Sequence, residues 1–178
     1  MRKVVASEFL SLDGVAEKPN EFITDWDDEV DGYGERVIAT QDSVLLGRRT
    51  YDEWARFWPT SDIEPFASFI NSVEKFVVTS TQPGEPWSNT TVVGGGPCEL
   101  VTELRERPGG DIGVHGSIEL TQSLLELGLV DELRLAIAPV LQMHGRKLFD
   151  RGLSTRLTLT RHVISPTGYL LLDFQVGS

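Results

Sequence analysis

The stretch DIGVHGSIELTQSLLELGLVDELRLAIAPVL, residues 111–141, sets two short apolar runs on either side of a helical segment. The first run reaches His115 and breaks at Gly116. Ser117 then stands where an N-cap is needed for a helix over Ile118 to Leu127, and Gly128 is placed to close it. The second run, from Asp131, opens with the alternation of a strand. Strand, helix and strand in so short a space predict a parallel pair joined by a crossover helix.

The pattern repeats outward. Lys3 to Phe9, Ser43 to Leu46, Lys75 to Ser80 and the run TTVV at 90–93 read as further strands. Between them, helices are expected over Asp27 to Thr40, Arg49 to Phe57, Ile63 to Ser72, and from Pro97. In the first, Val30, Tyr33, Val37 and Ile38 share one face, while Gly32 and Gly34 weaken the pattern. At the C-terminus, RLTLTRHVIS (156–165), the turn Pro166 to Gly168, and YLLLDFQVG (169–177) predict an antiparallel hairpin. The expectation is one α/β domain over 1–178: a mostly parallel sheet covered on both faces, with an antiparallel edge.

Composition narrows the function. Of 178 residues 40% are apolar, and the formal net charge is -11. That acidity argues against nucleic acid, which demands clustered basic charge. No apolar run approaches the ~20 residues of a membrane span. The single cysteine, Cys98, fits a reducing cytoplasmic setting, and the three histidines have no metal-ligand spacing.

In open α/β sheets ligands bind beyond the carboxyl ends of the strands. Three such ends suit anions. After Leu46 come Gly47, Arg48, Arg49 and Thr50, a tight turn followed by fork-shaped cationic donors that match phosphate oxygens; alternatively, the arginines pair with Asp52, Glu53 or other nearby acids. Thr79, Ser80 and Thr81 follow Val78, where hydroxyls either bind phosphate or merely end the strand. His115, Gly116, Ser117 and Ile118 lead into a helix whose dipole favours negative charge. A ligand with a pyrophosphate and a further phosphate would use all three, and two arginines beside the extra phosphate would select NADP over NAD. The usual GxGxxG fingerprint is missing, and VGGGPCEL lacks the GK[ST] ending of a phosphate loop.

The blocks SLDGV, LLGRRTYDEW, KFVVTST, the 113–149 segment and the closing hairpin together resemble the dihydrofolate-reductase-like superfamily, in particular the reductase domain of riboflavin-biosynthesis deaminase-reductases, as a stand-alone member. The resemblance implies the three-layer α/β/α fold of that superfamily, a homodimer, and NADPH across the sheet edge. Gly47, Arg48, Arg49 and Thr50 would hold phosphates, with Thr79, Ser80 and Thr81 at the adenosine end. His115, Gly116, Ser117 and Ile118 would take the pyrophosphate, and the loop Leu12 to Val15, including Gly14, would flank the nicotinamide. Asp31 falls near the position of the superfamily's substrate-gripping acid, though Asp25, Asp27 and Asp28 are neighbours. Phe22, Trp26, Tyr51 and Trp54 are candidates to line the substrate side. The implied activity is reduction of a pterin- or aminopyrimidine-like heterocycle; the alternative is a non-catalytic module that binds or senses NADP(H). A dimer contact is expected around the LRLAIAPVL strand (133–141).

Overall fold

The computed structural model describes residues 1–152 and 154–177. Its elements in chain order are β1 (Val4–Ser11), α1 (Asp28–Ile38), β2 (Gln41–Gly47), α2 (Arg48–Phe57), α3 (Phe66–Ser72), β3 (Glu74–Val78), β4 (Thr90–Val93), α4 (Pro97–Glu106), β5 (Asp111–His115), α5 (Ile118–Glu126), β6 (Glu132–Ala138), β7 (Leu157–Ile164) and β8 (Leu170–Val176). The strands form one sheet in the order β4-β3-β2-β5-β1-β6-β8-β7. The six strands from β4 to β6 run parallel, and β8 pairs antiparallel with both β6 and β7. The crossover from β5 through α5 to β6 spans β1, which lies between the two strands it joins.

Alternation of side chains splits the core into layers. Ala6, Leu45, Val114, Leu133 and Leu135 face α4 and α5, meeting Leu100, Leu104, Ile118 and Leu124. On the other side, Val30, Tyr33, Val37 and Ile38 of α1 bury the face that their spacing predicts. Tyr51, Ala55 and Ile70 pack there against Val44, Leu46 and Val77. Glycines 32 and 34 fall outside that buried stripe, so they weaken α1 without breaking it. Helix α3 starts at Phe66, later than Ile63, because Pro65 occupies its N-cap. Its carboxyl end is closed by a fully buried lysine: Lys75 Nζ donates to the carbonyls of Ile70 (2.8 Å) and Val73 (2.9 Å) and lies 4.8 Å over the Trp87 ring.

Strand β6 carries residues 133–138 of the 133–141 segment expected at a dimer contact, and Pro139 to Leu141 follow it. It lies inside the sheet between β1 and β8, so both its ladders are used. The free edges belong to β4 and β7. No helix is long and apolar enough to cross a membrane among the described residues.

The amino end of the sheet is held by Arg2. Its guanidinium bonds the Asp42 carboxylate, Ser43 Oγ (2.7 Å), and the carbonyls of Gly110 (2.7 Å) and Leu104 (3.3 Å). Arg2→Met is expected to lower stability by about 2–3 kcal/mol. The lost bonds are charge-assisted and largely buried, but half-exposed Asp42 can rehydrate. Urea denaturation midpoints check this.

Candidate active site

The parallel strands place their carboxyl ends on one rim. Three helices start there directly from strand ends: α2 from β2, α5 from β5, and α4 just beyond β4. Their N-caps are Gly47, Ser117 and Gly96, and none makes a side-chain capping bond. Helix α1 differs, since Asp27 accepts from the amides of Glu29 (3.0 Å) and Val30 (3.1 Å). The first amides of a helix need an acceptor, and the dipole makes an anion the preferred one. The rim therefore leaves the first-turn amides that follow these N-caps without a capping side chain in front of β2, β4 and β5.

Ser117 does not cap α5 as expected. Its hydroxyl accepts from the Gly47 amide (3.0 Å) and donates to the His115 carbonyl (3.2 Å), which ties the β2 and β5 turns together. Thr50 adds a second tie, donating to the Gly116 carbonyl (3.0 Å). Gly116 itself has φ +59°, in the left-handed region. A Cβ there would come within 3.0 Å of Trp54 Cζ2, so the backbone approaches the aromatic face as only glycine allows.

The two arginines diverge. Arg48 Nε bonds Asp52 (2.6 Å), and Nη1 donates to Thr81 Oγ1 (2.6 Å) and the Thr81 carbonyl (3.2 Å). It thereby brings the β2 and β3 ends into one cluster. Within that cluster Thr79 Oγ1 accepts from the Thr81 amide (3.1 Å), while Ser80 stays exposed. Arg49 swings the other way, to Glu119 on the first turn of α5 at 3.6 Å, and Glu119 also meets Arg146 at 2.8 Å. The pairing with acids is thus realised, Arg48 with Asp52 and Arg49 with Glu119, and both side chains stand beside the rim.

The loop after β1 is clamped. Asp13 accepts from Ser11 Oγ (2.7 Å) and from the amides of Gln142 (2.9 Å) and Met143 (3.0 Å). These bonds to the charged form hold its carboxyl down at about 2. Leu12 is 58% exposed, and Gly14 turns with φ +86°. Val15 is fully buried, and its amide donates to Ser11 Oγ (3.0 Å).

On the α1 side, the Trp26 ring lies 5.5 Å from Phe9 and 6.4 Å from Tyr169. The indole N–H of Trp26 donates to Asp31 Oδ1 (2.5 Å), which holds an exposed carboxylate beside this aromatic group. Trp54 stands against Gly116, edge-on to Phe66 at 5.6 Å. Trp26 and Trp54 thus sit over adjacent strands on one face of the sheet. Two other candidates belong to the core. Tyr51 is 2% exposed and donates to the Glu85 carbonyl (2.8 Å) beside Trp87, and Phe22 is 1% exposed. Their aromatic rings are spent on core packing.

His115 is a mixed result. Its ring turns under the sheet, between Phe66 and Phe69, with Nε2 2.7 Å from Gln41 Oε1. Burial, aided by the Arg134 charge, pushes it down to about 4, which keeps it neutral. Only its backbone stands at the turn.

Sequence reasoning missed Gly94 to Gly96, which open α4 beside Thr79; the Thr79 amide donates to the Val93 carbonyl (3.0 Å). Comparison with the phosphate-loop pattern alone hid them. Glu8, on β1 beneath α5, was missed as well, because a lone glutamate in a strand carries no motif. No group of three or more metal-ligating side chains occurs among the described residues.

This strand order, with helices on both faces and an antiparallel end, defines the dihydrofolate-reductase-like α/β class. The chain belongs to the RibD C-terminal domain family, whose model matches residues 2–171. It is 30% identical over 153 residues to the uncharacterized protein YyaP of Bacillus subtilis, covering 83% of this chain and 80% of that one. Two solved structures share the fold. A pyrimidine reductase-like protein from Corynebacterium diphtheriae superposes with a TM-score of 0.69 at 16% identity, over 99% of this chain and 92% of that one. The diaminohydroxyphosphoribosylaminopyrimidine deaminase/5-amino-6-(5-phosphoribosylamino)uracil reductase of Thermotoga maritima gives 0.70 at 14% identity, over 99% of this chain but only 57% of that longer one.

Proposed function

We infer that the protein is an NADPH-dependent reductase of a planar heterocycle of the pterin or aminopyrimidine kind. One observation carries the reading: three helices that begin on a single rim present uncapped amino ends, with arginines and threonines at their flanks. A dinucleotide fits that donor set. The Ile118 and Glu119 amides would meet the pyrophosphate, and Arg48 with Thr79 and Thr81 the extra phosphate. When bound, NADPH supplies the hydride. The chain's own part is to hold the cofactor, to set the heterocycle between Trp26 and Trp54, and to place the Asp31 carboxylate where it grips the heterocycle and relays to it a proton drawn from solvent. The reductase domain family and the names of the two solved relatives support the chemistry.

The test separates NADPH from NADH. Arg48 Nη2 has no partner among the described residues and is free for a phosphate oxygen. Arg48→Ala is expected to weaken NADPH binding about 10–100-fold, since a hydrogen bond between charged groups is worth ~1.5–3 kcal/mol. NADH binding should barely change. Arg49→Ala should matter less, because that side chain is 70% exposed. Fluorescence titration of both nucleotides reads the outcome; equal losses for the two would refute the assignment of Arg48 to the extra phosphate.

A further inference from the structure

We propose that filling the anion site at the α5 turn is coupled to protonation of Glu8, so that the protein takes up a proton as it takes up the phosphates of a dinucleotide. The proposal rests on the dinucleotide reading above and adds a coupling that neither the family nor the rim chemistry implies.

The geometry is specific. Glu8 is 5% exposed and points toward α5, on the same face of β1 as Ala6 and Leu10. Its carboxyl accepts from Thr121 Oγ1 (3.1 Å) and from the Ser117 amide. It thus sits under the first turn of α5, on the inner side of the helix end whose outer side faces the rim. The surrounding side chains are apolar: Leu10, Val114, Ile118, Leu124 and Leu135.

Among the described residues no cation meets the carboxyl. On β5 and β6, His115 and Arg134 face the opposite side of the sheet, the latter bonding Glu132 and the Val37 carbonyl. On α5, Glu119 lies at the surface with Arg49 and Arg146, and Arg146 also holds Glu17. On the β1 loop, Asp13 is engaged by Ser11, Gln142 and Met143.

A buried carboxylate with two donors and no counter-charge favours its neutral form. Burial pushes Glu8 up to about 8 despite both hydrogen bonds. The Thr121 hydroxyl can serve either form, donating to the carboxylate or accepting from the acid. Ionised Glu8 draws on the positive end of α5 from within, while a phosphate draws on it from without. Two anions at one helix end repel each other, and the low dielectric between them strengthens the repulsion. Ligand binding therefore raises the affinity of Glu8 for its proton, and by linkage protonated Glu8 raises the affinity for ligand.

The experiment is calorimetric titration with NADP+ between pH 7.5 and 9.5, in two buffers of different ionisation enthalpy, for wild type and Glu8→Gln. The extra phosphate, with its second ionisation near pH ~6, stays fully charged throughout. Lys75, whose burial brings it down to about 8, titrates in the same window but is present in both proteins and lies on the far side of the sheet. Wild type should take up a fraction of a proton, with Kd rising with pH toward a limit of about tenfold per pH unit. Glu8→Gln should take up none and bind with a flat Kd. A flat, buffer-independent wild-type profile overturns the proposal, as does a Glu8→Gln profile matching wild type. If Glu8→Gln does not fold, Lys75→Met separates the two groups: proton uptake that persists in it belongs to Glu8, and its loss there overturns the proposal. No NADP+ binding at any pH would sink the dinucleotide reading and this coupling together, whereas binding without proton uptake sinks the coupling alone.

Discussion

Gly116→Ala is expected to weaken NADPH binding by at least tenfold while leaving the protein folded. The position combines two demands. Its φ of +59° costs a side-chain-bearing residue about 1–2 kcal/mol. A Cβ would also stand 3.0 Å from Trp54 Cζ2 and 3.7 Å from Thr50 Cγ2. The strain falls on two groups that shape the rim: the Trp54 ring, and the Thr50 hydroxyl that bonds the Gly116 carbonyl. Relief requires the turn to tilt, and with it the amides that open α5. Gly128→Ala is the matched control. Its φ is +65°, but nothing lies within 4 Å of the added methyl, and it sits at the opposite end of α5. Both variants should lose the stability that the left-handed backbone costs, Gly116→Ala somewhat more for its contact with Trp54, and only Gly116→Ala should lose nucleotide. Equal affinities for the two would show that the β5 turn plays no part in binding.

The second large effect belongs to Asp31. Its carboxylate is fixed by the Trp26 indole and remains open to solvent, as a group that must reach a substrate would be. Asn preserves the shape and the bond from the indole but supplies no acidic proton. Asp31→Asn should slow single-turnover oxidation of bound NADPH by about 10²-fold or more, the usual contribution of a positioned proton donor. NADPH affinity should be unchanged, since Asp31 stands on α1, away from the three uncapped helices. Dihydrofolate and aminopyrimidine intermediates of riboflavin synthesis are the substrates to try. An unchanged rate would move the proton source elsewhere. Tight NADPH binding with no turnover of any such heterocycle would favour the non-catalytic, sensing alternative.

The layers of this fold are written plainly in the chain, because buried strands and amphipathic helices leave periodic marks. Val30, Tyr33, Val37 and Ile38 are the clear case: their spacing alone identified the face that α1 buries. The rim was legible in outline, since turns that follow apolar runs mark strand ends. The directions of individual side chains were not. Tyr51 and Trp54 lie three residues apart on one helix, yet the first is sealed beneath the 85–87 segment and the second is left at the rim. His115 ends a strand on the side facing Phe66 and Phe69, and parity on β5 decides that. The apolar character of β6 is explained by its place inside the sheet, flanked by β1 and β8, so it does not by itself mark an interface. Glu8 was silent, because its significance arises only where β1 passes under α5.

The most direct test of the account is a crystal structure of the protein with NADP+. The pyrophosphate should lie against the Ile118 and Glu119 amides, and the extra phosphate between Arg48 and the Thr79 to Thr81 turn. A nucleotide bound elsewhere, or a rim left empty at saturating NADP+, would contradict it.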